Sequence, residues 1–494
     1  MKKYAVLILI MIASLIFASC GTASVTEDVT AKTPETVSSN EDNFDESLEA
    51  TGDFTITPGD GAGEVTVDGS TYTITSAGEY TLTGRLDGNI VVDAGDEDEV
   101  VLILNNVTIS SSDAAPIAFV NAGEGTVKSE EGTYNAIYDE RTGDVAEDDS
   151  EDESEDGAIF AACDLKITGN GSLAVTSTYD NGIKTKDDLK IKNVTLKVTS
   201  VGNALKGNDS VTVESGSLIL ISTESDGVKT KNSDVSSKGN QRGDVTVTGG
   251  TVEITSAGDG VHAAHDVVIS GGDVTITSAD DGIHAEGTLT VSDGTVNIAD
   301  SHEGLEANVI DIQGGDVFVY GEDDGLNAAK GDSTPLIKIS GGFVDITTPS
   351  GDTDAADSNG DFTVTGGFVL IKGGAATGSV AGSVDVDGEI SVTGGTVIAL
   401  GGICEVPASG SVNYYVSSGT TFGAGEYVLS SSDGNIATFT LTSSYASLWI
   451  ASDALTLDGE YTLAKDGSTL LSWTQSSSAS GDSVQSGFGG MGRR

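Results

Sequence analysis

Apolar and polar residues alternate along most of this chain, and the alternation restarts at regularly spaced turns. The turns are Gly249-Gly250, Gly271-Gly272, Asp293-Gly294, Gly314-Gly315, Gly341-Gly342, Gly366-Gly367 and Gly394-Gly395, at intervals of 22, 22, 21, 27, 25 and 28 residues. Before each turn stand apolar pairs such as Val245/Val247, Val267/Ile269 and Ile310/Ile312. After it stand others, such as Val252/Ile254, Val274/Ile276 and Val296/Ile298. A period of two places each pair on one face of a strand. A second marker follows most turns: Asp259-Gly260-Val261, Asp281-Gly282-Ile283, Glu303-Gly304-Leu305 and Asp324-Gly325-Leu326. Asn181-Gly182-Ile183, Asn203-Ala204-Leu205 and Asp226-Gly227-Val228 are its upstream relatives, and Asp354-Ala355-Ala356-Asp357 a degenerate later copy.

No repeat is long enough for the helix that a βαβ crossover needs. Strands joined only by tight turns, with β-branched residues at the inward positions, predict an all-β fold. The expected form is a right-handed parallel β-helix with coils of about 22 residues. Successive coils should stack about 4.8 Å apart, like residue over like. The spacing does not fit a leucine-rich repeat or a nonapeptide calcium roll.

Outside the repeat the pattern changes. Residues 1–20 carry Lys2 and Lys3, an apolar run from Ala5 to Phe17, and Phe17-Ala18-Ser19-Cys20. The run is too short to span a bilayer and suits a secretory signal. Small residues before a cysteine resemble a lipobox, with Cys20 the lipidated residue. Residues 21–50 hold little to bury and read as a disordered tether. An N-terminal cap and first coils are expected over 51–135, an acidic loop over 136–157 and the parallel β-helix over 158–404. Six alternating runs between Tyr414 and Trp473 predict a small antiparallel β module over 405–475, and 476–494 reads as a disordered tail.

Charge narrows the function. Acidic residues number 77 and basic ones 23, for a net charge of −54. Binding to nucleic acid is excluded, because phosphate contacts need lysine and arginine. Stacked turns should line Asp259, Asp280, Asp281, Glu303, Asp323, Asp324, Asp354 and Asp357 along one edge. Calcium takes 6 to 8 oxygens, and doubled acids on adjacent coils would supply them. The plainer alternative is that each Asp caps its own turn, as Asn181 and Asn203 would. Two residues beyond each turn glycine or its Ala204 equivalent runs a further stripe: Lys184, Lys206, Lys229, His262, His284, Glu306, Asn327 and Asp357. Its first six members other than Glu306, Asn327 included, are the candidate ligand-binding residues for an anionic polymer, with a solvated edge as the alternative. The four histidines, His262, His265, His284 and His302, fall within about two coils, and zinc is a further option. Lys184, Lys206, Lys229 and Lys330 are candidate bases should the chain be a polysaccharide lyase. No serine or cysteine motif supports nucleophilic catalysis.

Asp-Gly-Ile-His-Ala at 281–285 with Gly-Gly-Thr-Val at 249–252, the Ser76 to Leu82 entry and the Phe488-Gly489-Gly490 to Arg494 tail resemble one known group. It is the family of clostridial cell-surface carbohydrate-binding β-helix lipoproteins, similar in fold to calcium-dependent pectate lyases. The resemblance implies calcium on the helix edge and binding of acidic plant polysaccharide such as polygalacturonate, and extends to cellulose. A monomer is expected, on the extracellular face of the envelope, touching the membrane only through the lipid anchor at Cys20. Neutral glucans dock on flat aromatic faces, which the predicted coils lack. Calcium-assisted binding, a calcium-dependent lyase with a lysine base, and an adhesive or structural envelope protein all stand at this point.

Overall fold

Short β-branched stretches between glycine turns satisfy their backbone groups by pairing each stretch with the next repeat. The computed structural model describes residues 29–34, 44–142, 155–351, 353–373, 382–403 and 405–483. Val267 and Ile269 lie beside Leu289 and Val291, these beside Ile310 and Ile312, and these beside Ile337 and Ile339, all in parallel. A second face stacks Val252/Ile254, Val274/Ile276, Val296/Ile298 and Val317/Val319. A third stacks Ile183, Leu205, Val228, Val261, Ile283, Leu305 and Leu326. The result is a three-faced parallel β-solenoid whose interior is one continuous apolar column. Each fully buried Val, Ile or Leu contributes roughly 1.5–3 kcal/mol.

The glycine turns have a steric cause. Gly250, Gly272 and Gly294 hold φ of 90°, 88° and 90°. A Cβ at Gly272 would also lie 2.7 Å from the carbonyl oxygen of Gly250 in the coil before.

Parallel stacking begins before the regular period does. Thr71–Ile74 pairs with Asn89–Asp93, and Gly78–Asp87 with Glu99–Ser111. Thr55–Pro58 and Val65–Asp68 add antiparallel to these first strands and cover the open edge.

All six C-terminal runs are strands, but they divide between two sheets. Tyr445–Ser452 pairs antiparallel with the last coil strand, Thr396–Gly401, and Tyr414–Phe422 pairs with Tyr445–Ser452. Gly425–Ser431, Gly434–Leu441, Glu460–Lys465 and Ser468–Thr474 form a separate sheet. This sheet lies along a side of the late coils. Phe318, Phe343, Phe368, Leu370, Ile398 and Leu400 share a second core there with Phe422, Tyr427 and Phe439.

Two expectations of disorder are corrected. Val29–Thr30, inside the supposed tether, pairs with Ala437 and Thr438. Ala479–Gly481, inside the supposed tail, pairs with Tyr414–Val416. In both cases a strand edge offers backbone groups that a short extended segment satisfies. The acidic excursion is narrower than 136–157, because Tyr134–Asp139 and Gly157–Ala161 are coil strands. The signal segment, Cys20, Cys404 and the Phe-Gly-Gly tail lie outside the described residues.

Candidate functional site

The two recurring markers meet as parallel columns along one edge of the solenoid. In the strand column, Lys184, Lys206, Lys229, His262, His284, Glu306, Asn327 and Asp357 follow one another in unbroken register. In the turn column stand Asn181, Asn203, Asp226, Asp259, Asp281, Glu303, Asp324 and Asp354. The N–H after one member donates to the carbonyl of the next, as Gly227 does to Asp259, Gly260 to Asp281 and Gly282 to Glu303.

Among the described residues, Asn181, Asp226, Asp259 and Asp324 accept from the next coil's backbone. Asp281 N–H donates to Asp259 Oδ1 (3.1 Å), Asp259 N–H to Asp226 Oδ1 (2.9 Å), and Asp354 N–H to Asp324 Oδ1 (3.1 Å). Asn203 N–H donates to Asn181 Oδ1 in the same way (3.0 Å). Each acceptor therefore serves the following coil, which stacking brings within reach, and Asn and Asp interchange because only an acceptor oxygen is needed. The second oxygen faces the strand column. Asp226 Oδ2 lies 2.7 Å from Lys229 Nζ, and Asp259 Oδ2 2.7 Å from His262 Nδ1. Asp281 Oδ2 lies 3.1 Å from His284 Nδ1, and Asn327 donates to Glu303 Oε2 at 2.7 Å.

At the lysine end the predicted polymer-facing amines are enclosed. Lys184 is 0% exposed and pairs with Asp156 at 2.7 Å, and Lys206 is 5% exposed. The chain returns from its acidic excursion at Asp156, against Lys184, and Arg141 stacks over the ring of Tyr179 in the turn before Lys184. Burial pushes Asp180 up to about 7, helped by the negative charge of Asp156 and opposed by Lys206 and Lys184. Lys229 is partly exposed but ion-paired with Asp226. The expected roles of Lys184 and Lys206, as polymer contacts or as the base of a lyase, therefore fail on access. Lys330 is exposed, outside the column.

In the middle, His262 and His284 stack with centroids 4.9 Å apart. The hydrogen bond to Asp281 holds His284 up at about 9 against the effect of burial, with Glu306 adding to it. Burial raises Glu306 to about 8, and its hydrogen bond with Asp281 and the charge of Glu303 add to the rise. His265 sits apart, 2.8 Å from Asp244, and His302 is exposed. Ligand atoms of Asp259, His262 and His284, of Asp281, His284 and Glu306, and of Asp259, Asp280 and Asp281 lie within 4.8 Å of one another. So do those of His302, Glu303 and Asp323.

At the far end the facing residues are no longer basic. Asp324 is driven up to about 8 by burial and then by the charges of Asp357, Asp354 and Glu303. Asp385 continues the column beside Asp357, and Glu405 near it is raised to about 7 by burial and Asp385. Sequence reasoning missed this continuation because the longer late intervals hide the repeat. The donors from Glu303 to Asp357 are oxygens, the set that suits a hard divalent cation. The predicted metal residues thus separate: Asp259 and Asp281 are committed to histidines, whereas Glu303, Asp323, Asp324, Asp354 and Asp357 form an acidic run.

A family model described as carbohydrate-binding domain-containing protein matches residues 68–325. A protein of Acetivibrio thermocellus with the same description is 37% identical over 127 residues, which are 25% of this chain and 44% of that relative. The match thus spans less than half of the relative's length. A solved structure of a polysaccharide lyase-like protein from C. thermocellum, a gadolinium derivative, is 33% identical with a TM-score of 0.42. That match covers 46% of this chain and 89% of the other.

Proposed function

This chain belongs to the carbohydrate-binding domain-containing proteins, and from that premise we propose that it binds acidic polysaccharide with the help of calcium. The observation that carries the calcium reading is the run Glu303, Asp324, Asp354 and Asp357, in which burial, with the neighbouring negative charges adding to it, holds Asp324 at about 8. A divalent cation removes that repulsion and leaves coordination positions for a uronate carboxylate. The cation would bridge an acidic protein to an acidic polymer such as polygalacturonate. The proposal includes display on the outer face of the envelope through Cys20, supported by the lipobox-like Phe17-Ala18-Ser19-Cys20 after a basic start and an apolar run.

The test is depletion of the full chain by insoluble polygalacturonate, first with calcium and then with chelator. Most of the retention should be lost on chelation. Absence of retention in calcium would remove the uronate reading and leave an adhesive or spacer role ahead. Growth of ultraviolet absorbance from unsaturated uronate ends would show a lyase instead.

A further inference from the structure

We propose that Lys128, Lys166, Lys190 and Lys192 form a second surface that takes carboxylated polysaccharide directly, without a bridging cation. The inference rests on the carbohydrate-binding reading and adds a site on a different face of the solenoid from the acidic edge.

The four lysines stand on the outward side of stacked strands Glu124–Ser129, Asp164–Gly169 and Asp188–Lys192. Register aligns Thr126, Lys166, Lys190 and Thr212 in one row, and Lys128, Thr168 and Lys192 in the next. Coils repeat about every 4.8 Å, and outward residues of one strand are about 7 Å apart. The inward neighbours Leu165, Ile167, Leu189 and Ile191 are fully buried, so the amines rise from a fixed base. All four amines are accessible, with side-chain exposures of 43%, 42%, 42% and 53% in chain order. This separates them from the enclosed Lys184 and Lys206.

Glu214 shows how a carboxylate is held here: one oxygen lies 2.5 Å from Lys190 Nζ and the other 2.8 Å from Lys192 Nζ. The two hydrogen bonds draw Glu214 down to about 2. Lys166 holds Glu124 at 2.6 Å, and Lys128 lies 3.8 Å from Glu130. Each of the four amines thus has a resident carboxylate beside it, and Asp164 and Asp188 stand one row away on the same outward face. Exposed pairs of this kind are weak and exchange readily, so an incoming carboxylate can take the place of the resident one. Lys166, Ile167, Thr168, Lys190, Lys192 and Glu214 line a shallow recess of about 290 Å³. Threonine hydroxyls beside the amines can donate to and accept from sugar hydroxyls. The rows offer no aromatic ring, which points to a charged sugar rather than a neutral glucan.

The experiment compares the full chain with the K128Q/K166Q/K190Q/K192Q variant on insoluble polygalacturonate, in calcium and in chelator at low salt. The natural chain should keep a fraction of its retention in chelator, and added salt should abolish that fraction. The glutamine variant should lose it, while the corresponding four-arginine variant keeps it. Retention in calcium with none in chelator would overturn the lysine surface and leave the calcium reading standing. No retention under either condition would overturn both. Chelator-resistant retention unaffected by salt or by the glutamine changes would also overturn the lysine surface. The exposed positions leave the core untouched, and an unchanged unfolding midpoint checks that the variant is folded.

Discussion

An aspartate whose two oxygens serve different partners is harder to replace than one that only carries charge. Asp259 accepts from Asp281 N–H with one oxygen and faces His262 with the other. Asp259→Ala leaves a buried N–H without an acceptor, and the expected loss is about 1–3 kcal/mol in urea unfolding. Asp259→Asn keeps the acceptor, as Asn181 does for Asn203, and should lose less than the alanine variant. Equal losses would mean that the charge opposite His262, not the cap, is what matters. The same edge sets a pH dependence. His284 titrates near 9 instead of 6.5, so its contribution is complete below 6.5 and is lost as pH rises through 9. Glu306 near 8 and Asp180 near 7 keep protons that an unfolded chain has released by about pH 5. Both therefore reduce stability as pH climbs from there. All three act in one direction, so the calcium-free chain should unfold at progressively lower denaturant between about pH 5 and 9. Glu306→Gln should flatten the part of that slope below about pH 8. A midpoint that rises over this range would contradict the assignment.

Within the coil, close approach between turns sets a limit that the turn sequence displays. A Cβ on Gly282 would lie 2.5 Å from the Gly304 carbonyl oxygen and 2.6 Å from Ile298 Cγ2. Ala204 and Ala355 occupy the equivalent place in other coils, so a methyl is absorbed by small shifts. Gly282→Ala should cost about 1 kcal/mol and Gly282→Val about 3 kcal/mol, read as unfolding midpoints. An innocuous valine would show that the turns slide apart more easily than their packing suggests. This regularity is also why the solenoid, its period and the register of the Lys184-to-Asp357 stripe were legible from sequence. Each coil returns the same residue type at the same offset, and stacking turns sequence position into spatial position. What was not legible depends on departures from the repeat. Lys184 is enclosed because Asp156 arrives from an excursion that no period predicts. The caps reach the following coil, a distance that a single turn's sequence does not encode. Lys166 and Lys190 occupy ordinary outward positions, and only the register shows them side by side.

At the scale of the molecule, the late coils carry a surface that the earlier coils lack. Outward positions held by Thr275 and Asn297 pass in register to Phe318, and further on to Leu370 and Ile398. Phe343 and Phe368 stack beside them with centroids 5.6 Å apart. Apolar residues at outward positions were the available signal that something covers this face, and the C-terminal sheet does so. The sheet is therefore part of the solenoid's side wall as well as its end. Val29–Thr30 adds a strand to it, so the segment following residues 1–28 is tied to the C-terminal part of the chain. Without the residues after 403, Phe318, Phe343, Phe368, Leu370 and Ile398 would lose the covering sheet and form one exposed apolar patch, and Thr396–Gly401 would lose Tyr445–Ser452 and present an unpaired edge. Contiguous apolar patches and open parallel edges both drive association. A chain ending at residue 403 should consequently elute as oligomer or aggregate in size-exclusion chromatography, whereas the full chain elutes as a single smaller species. Serine at Phe318, Phe343 and Phe368 should return the shortened chain partly to the smaller species, because it removes the patch and leaves the edge. A shortened chain that is soluble, monomeric and equally resistant to urea would show that the late coils need no cover.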